Sequence, residues 1–156
     1  MNIAPQRLMQ GDTVGVIAPA SPPVPEKLDR AVRFLKELGL EVKVGRSAIE
    51  RHGYLAGNDE ERLEDLHDMF EDRSVKAVIC ACGGYGTARI AENIDYRLIK
   101  SRPKIFGAIQ TSLFYIQRSG KTPDLLHFTV RCSVRISAIK TCIRSPGALS
   151  GSCFKK

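Results

Sequence analysis

The sequence predicts an α/β domain built on a doubly wound parallel sheet, and three features carry the prediction. Residues 13–18 (TVGVIA) and 75–82 (VKAVICAC) are short, nearly continuous apolar runs of the kind buried on both faces of a parallel sheet. Segments whose apolar residues recur at helical spacing separate these runs, so strand and helix alternate along the chain. The strand-like runs also give way to Gly or Pro, which places any site at the C-terminal ends of the strands.

The first strand follows the turn pair Gly11-Asp12 and stops at Pro19-Ala20-Ser21-Pro22-Pro23, where the prolines have no N–H to give to a ladder. From Glu26 onward, Leu28, Ala31, Val32, Leu35 and Leu38 fall on one helical face, and Gly39 is placed to end the helix. Residues 40–44 alternate in polarity as a second strand. The following stretch, GRSAIERHGYLAGND, reads as a long loop, and such loops in compact domains tend to be functional. Asn58 is placed to cap the next helix, with Glu61 positioned to complete a capping box and Leu63, Leu66 and Phe70 as the buried stripe. The third strand, 75–82, runs into Gly83-Gly84-Tyr85-Gly86, and a helix starts at Thr87. A short helix over 95–100 precedes Pro103, and Lys104-Ile105-Phe106 opens a fourth strand. This order suits a flavodoxin-like sheet.

At 156 residues and 43% hydrophobic, the chain has room for one domain with a buried core. No apolar run is long enough to span a bilayer, and the N-terminus lacks the order of a signal peptide, so a cytoplasmic protein is expected. Five unevenly spaced Cys fit reduced thiols better than a disulfide framework. The net charge of +7 is local: residues 1–106 carry 16 basic and 16 acidic residues, whereas 107–156 carry eight basic residues and one acid, Asp124. That charge has no aromatic or helical framework, so neither nucleic acid nor membrane is expected as a partner. Beyond Gly107 there is no repeat and no helical stripe longer than two turns; only residues 129–140 (TVRCSVRISAIK) alternate weakly.

The strongest local feature is the glycine loop, Gly83, Gly84, Tyr85 and Gly86. Glycines after a central strand let the backbone turn sharply and bring free amides up to an anion or a developing oxyanion. The same residues also suit a tight turn with no ligand. The loop lacks the Gly-Lys-Ser/Thr of a Walker loop and the spacing of the dinucleotide fingerprint. Cys80 and Cys82 read as structural thiols, His52 as a loop residue and His67 as a helix-surface residue. No metal or cofactor is expected, and no Ser-His-acid set can be assembled from residues 1–106.

Four stretches, GDTVGVIAPASP, GYLAGNDEERLEDLHDMF, VKAVICACGGYGTARI and IDYRLIKSRPKIF, stand in the order and spacing of the LD-carboxypeptidase family. The resemblance spans residues 11–106. It implies a serine peptidase that cleaves the L,D-peptide bond of peptidoglycan tetrapeptides or related peptide conjugates without a cofactor, and it allows a family-type homodimer, which is doubtful for a fragment. It also implies that Gly83, Gly84, Tyr85 and Gly86 form an oxyanion and substrate loop. In the family, the segment after PKIF continues as hydrophobic-Gly-Tyr-Ser-Asp-x-Thr with Ser as nucleophile, and a second domain supplies Glu and His. Here GAIQTSL stands in that place.

One lost base accounts for the difference. TTC GTG GGC TAT TCA GAC ATC ACT encodes Phe-Val-Gly-Tyr-Ser-Asp-Ile-Thr; without the T of GTG it encodes residues 106–113 as they stand. The nucleophile's codon then lies across Ile109 and Gln110. Residues 126–138, LHFTVRCSVRISA, can be written so that the same shift yields Ser-Phe-His-Gly-Pro-Met, a second family motif. The expectation is therefore an LD-carboxypeptidase-type domain over 1–106, an out-of-frame, poorly structured tail over 107–156, and a truncated, inactive chain without the second domain. The alternative is a non-catalytic, flavodoxin-like module that binds a small molecule.

Overall fold

The computed structural model describes residues 6–107. Within them, four strands form one parallel sheet: β1 (Thr13–Ile17), β2 (Glu41–Val44), β3 (Val75–Cys80) and β4 (Ile105–Gly107), in the spatial order β2-β1-β3-β4. The helices are α1 (Pro25–Glu37), α2 (Asp59–Glu71), α3 (Thr87–Ile90) and α4 (Tyr96–Ser101). The expected doubly wound architecture is therefore present. The expected tail over 107–156, Gly107 apart, and the codon of the nucleophile at Ile109 and Gln110 lie outside the described residues.

The sheet is covered on both faces, which is why its strands are apolar throughout. On one face Val14, Val16 and Ala77 pack with Leu35 of α1, Leu8 and Leu40. On the other, Ile17, Val75, Val78, Cys80 and Phe106 pack with Leu66, Met69 and Phe70 of α2 and with Ile94 and Ile99. The rings of Phe70 and Phe106 lie 6.0 Å apart and tie α2 to β4.

The local signals act mostly where they are expected. Pro25 occupies the first turn of α1, where its missing N–H has no partner to lose. The chain leaves that helix through Gly39 at φ 80°, a conformation L side chains avoid. The capping box is complete: Asn58 Oδ1 accepts the Glu61 N–H at 2.8 Å, and Glu61 Oε2 accepts the Asn58 N–H at 2.7 Å. Strands β1 and β3 stop one and two residues before the expected ends, and Asp95 is the cap of α4 rather than its first residue. The long loop is not featureless, since it holds a 3-10 turn at Arg46–Ala48 and a bridge between His52 and Leu55. His67 keeps a surface position on α2, but its Nε2 accepts the Asp95 N–H at 2.9 Å and so docks α4.

Helix α2 has no basic residue in its last turn to meet its free carbonyls. Lys104, buried ahead of β4, supplies the charge by donating from Nζ to Met69 O at 2.7 Å and to Asp72 O. Burial lowers its pKa from the usual lysine range to about 8. The unfolded chain holds that proton up to about pH 10.4. Between roughly pH 8 and 10.4 it therefore binds more protons than the folded one, and Lys104 contributes stability that rises with pH. Lys104→Met is expected to destabilise by about 1–3 kcal/mol at pH 7, because two carbonyls lose their donor. Urea melts at pH 7 and pH 9.5 should show the deficit widening at the higher pH.

Candidate active site

In the order β2-β1-β3-β4 the connections from β1 and β3 run to opposite sides, so the crevice between their C-terminal ends is the topological switch point. Here that crevice is packed shut. A Cβ built on Gly84 would sit 2.5 Å from Ser21 Oγ and 3.2 Å from Ala20 Cβ. On Gly86 it would meet Leu55 Cδ2 at 2.5 Å and the Arg62 guanidinium at 3.1 Å. The glycines are needed for this close approach of the loop to the turn after β1.

Beneath the loop lies Arg62, wholly buried. One terminal nitrogen donates to Pro19 O at 2.7 Å and to Gly86 O at 2.8 Å; Nε donates to Asn58 O at 3.2 Å, and the other terminal nitrogen pairs with Asp59. Asp59 also takes a two-pronged ion pair from Arg89 of α3, at 2.9 and 3.0 Å. These two guanidiniums, Arg89 first, hold the Asp59 carboxyl below its usual range. Burial lowers the pKa of Arg62, and Asp59 opposes the shift. An open cleft of about 340 Å³ lies alongside, lined by His52, Leu55, Asn58, Asp59, Glu60 and Arg89.

The turn after β1 is anchored from the other side by Asp65. Its carboxylate accepts the N–H groups of Arg46 at 3.0 Å and Ser47 at 2.7 Å and the Ser47 hydroxyl at 2.5 Å. Ser47 Oγ in turn accepts the Ala18 N–H at 3.1 Å.

The loop itself keeps unspent capacity. Among the described residues, the amides of Gly83, Gly84, Tyr85 and Gly86 donate to no backbone or side-chain acceptor, while the carbonyls of Tyr85 and Gly86 accept from Ala88 and Arg89. Thr87, wholly buried at the start of α3, has a hydroxyl with no partner among the described residues. Tyr85 is 78% exposed. Gly107 pairs with Ile79, so β4 ends at the same rim of the sheet as the glycine loop. Free amides at a rim from which a new element departs are the apparatus for holding an anion or an oxyanion.

The expected site residues Gly83, Gly84, Tyr85 and Gly86 thus stand together at the end of β3. Cys80 is buried in the core, where desolvation pushes its thiol up, away from the reactive thiolate. Cys82 lies past the strand's end, half-buried, and His52 lines the cleft. Among the described residues, no group of three or more His, Cys, Asp or Glu is placed to hold a metal ion, and no helix is long and apolar enough to cross a membrane. Arg62, Asp65, Asp59 and Arg89 did not stand out in the sequence. Two of them carried a signal: Arg62 and Asp65 precede Met69 by seven and four positions, which puts two charges on the core-facing stripe of α2.

A family model described as the LD-carboxypeptidase N-terminal domain matches residues 14–107. The chain is 64% identical over 106 residues to a probable murein peptide carboxypeptidase of Bacillus subtilis, covering 68% of this chain and 33% of that one. It is 37% identical over 111 residues to a murein tetrapeptide carboxypeptidase of Pseudomonas aeruginosa, covering 69% and 36%. Among solved structures, an MccF-like protein from Bacillus anthracis superposes with a TM-score of 0.65 at 32% identity, covering 69% of this chain and 34% of that one. A muramoyltetrapeptide carboxypeptidase from Oxalobacter formigenes gives 0.60 at 29%, covering 69% and 37%. The matched part thus spans about a third of the length of each relative.

Proposed function

This chain belongs to the LD-carboxypeptidase family, and from that membership we propose that residues 6–107 are the oxyanion- and substrate-binding part of a serine-type hydrolase. Its bond would be the L,D-peptide bond of a peptidoglycan tetrapeptide or a related peptide conjugate, cleaved in the cytoplasm. The observation that supports this reading is the set of free amides in Gly83–Gly86, beside the rim where β4 ends. In such a reaction a Ser Oγ attacks the scissile carbonyl, a His with its Glu partner takes the hydroxyl proton, and backbone amides receive the oxyanion. The proton then passes to the leaving D-amino acid, and water releases the acyl group.

The polypeptide as it stands is read as inert. Residues 107–113 are Gly-Ala-Ile-Gln-Thr-Ser-Leu, a sequence in which neither Thr111 nor Ser112 falls in a Gly-x-Ser-x pattern. A single lost base at Gly107 explains the sequence there, the motif hidden in 126–138 and the one-sided charge of the tail. Sequencing the gene through codons 100–160 and several hundred bases beyond tests this. A shifted frame that runs on with a Glu and a His is expected; a gene in which no single-base change restores Gly-Tyr-Ser-Asp would falsify it. The same free amides support a second reading, a small-molecule-binding module without catalysis, for which FMN or nucleotides should raise the melting temperature. The family-type homodimer is not expected of the frameshifted product.

A further inference from the structure

The glycine loop is held in place by one side chain from another element, Arg62 of α2. We propose that Arg62 is a positioning residue of the reaction centre, fixing the free amides of Gly83–Gly86 in the orientation that receives the oxyanion. This rests on the peptidase reading of the loop.

The geometry distinguishes this role from simple core filling. Four hydrogen bonds leave the guanidinium, and two of them reach carbonyls on the opposite shoulders of the crevice, Pro19 after β1 and Gly86 after β3. A carbonyl gripped by a donor fixes its whole peptide plane, and Gly86 O is gripped twice, by Arg62 and by the Arg89 N–H at 3.2 Å. On its flank, Gly84 rests against Ala20 and Ser21. The loop is therefore clamped on its inner side and flank, while its amides stay free. One terminal nitrogen bridges both carbonyls while the rest of the fork reaches Asn58 O and Asp59; an ammonium has three N–H groups and cannot serve all four acceptors together. Asp59 completes the clamp: it is the counter-ion of the buried guanidinium and also holds Arg89 of α3, three residues past the loop. The buried Arg62 and the exposed Arg89 thus share one carboxylate, which links the support of the loop to α3.

The two contributions separate by substitution. Arg62→Lys keeps the charge and loses the fork; Arg62→Met loses both. In the 15N-labelled 156-residue chain, Arg62→Lys is expected to move or broaden the amide signals of Gly83, Gly84 and Gly86 while those of β1 and β3 stay in place. Asp59→Asn, a gentler change in case Arg62→Lys fails to fold, should perturb the same signals to a smaller extent. In a frame-restored enzyme, Arg62→Lys should lower kcat about 100-fold, the usual scale for a misplaced catalytic group, with KM within about twofold.

Glycine signals that stay put in a folded Arg62→Lys chain overturn the proposal, and so do signals that shift uniformly across the sheet. A kcat retained by Arg62→Lys but lost by Arg62→Met also overturns it, since charge rather than placement would then be at work. If the frame-restored parent is itself inactive, the peptidase reading fails. The glycine signals still decide whether Arg62 orders the loop.

Discussion

Inserting one T after the first base of the Gly107 codon is expected to give L,D-carboxypeptidase activity to a polypeptide that is expected to have none. The inserted base restores Phe-Val-Gly-Tyr-Ser-Asp after Ile105, and the family pattern would then set the nucleophile just past β4, whose last residue, Gly107, pairs with Ile79 near the glycine loop. Losing the nucleophile of a serine hydrolase lowers kcat about 10⁶-fold, and the residual rate comes from binding and the oxyanion hole. The purified 156-residue chain should therefore release no measurable D-amino acid from an L,D-tetrapeptide, while the repaired product should do so at ordinary enzymatic rates. Replacing the restored Ser by Ala should return it to background. The repaired chain should also reach about the length of the relatives, of which the present match covers a third. Cleavage by the unrepaired chain would defeat the frameshift account, because the original site must then lie elsewhere.

What the sequence disclosed about the fold is what depends on neighbours along the chain. The capping box of Asn58 and Glu61 is a contact between residues three apart, so it is readable without any tertiary knowledge. The same holds for Gly39 past the end of α1 and for the apolar runs that a doubly covered sheet demands. The glycine loop was legible because only its position after a central strand had to be known. The clamp beneath it was not. Arg62 is buried because its partners are Pro19 O and Gly86 O, 43 and 24 residues away, and a reading by polarity alone sends such a residue to the surface. Lys104 escaped for the same reason: its partners are carbonyls at the end of α2, 35 and 32 residues distant. A charge on the apolar stripe of a helix is the available warning, and in α2 it marked both Arg62 and Asp65.

Asp65→Ala is expected to be among the most damaging single substitutions in the described residues. The carboxylate is 7% exposed and accepts three hydrogen bonds from one short segment, the Arg46 and Ser47 amides and the Ser47 hydroxyl. Alanine leaves the two buried Ser47 donors facing a void and the part-buried Arg46 amide without its acceptor, and stranded buried donors cost about 1–3 kcal/mol each before relaxation. A net loss of about 3–5 kcal/mol follows, a third or more of the stability of an ordinary domain. The melting temperature should fall by roughly 12–40 °C. Asp65→Asn keeps an acceptor but turns an N–H toward the Ser47 amide, so it should recover only part of the loss. Ser47→Ala removes the hydroxyl that joins Asp65 to the Ala18 N–H. The double mutant should therefore lose less than the sum of the two singles, by about 1 kcal/mol or more, as residues of one network do. Simple additivity in thermal or urea melts would show that the Ala18–Ser47–Asp65 chain does not act as a unit. The consequence reaches the site, because Ala18 leads into Ala20 and Ser21, the surface against which Gly84 rests. If the network works as drawn, Asp65→Asn should loosen the Gly84 amide signal as well as lower the melting temperature, although its side chain touches neither the loop nor Arg62.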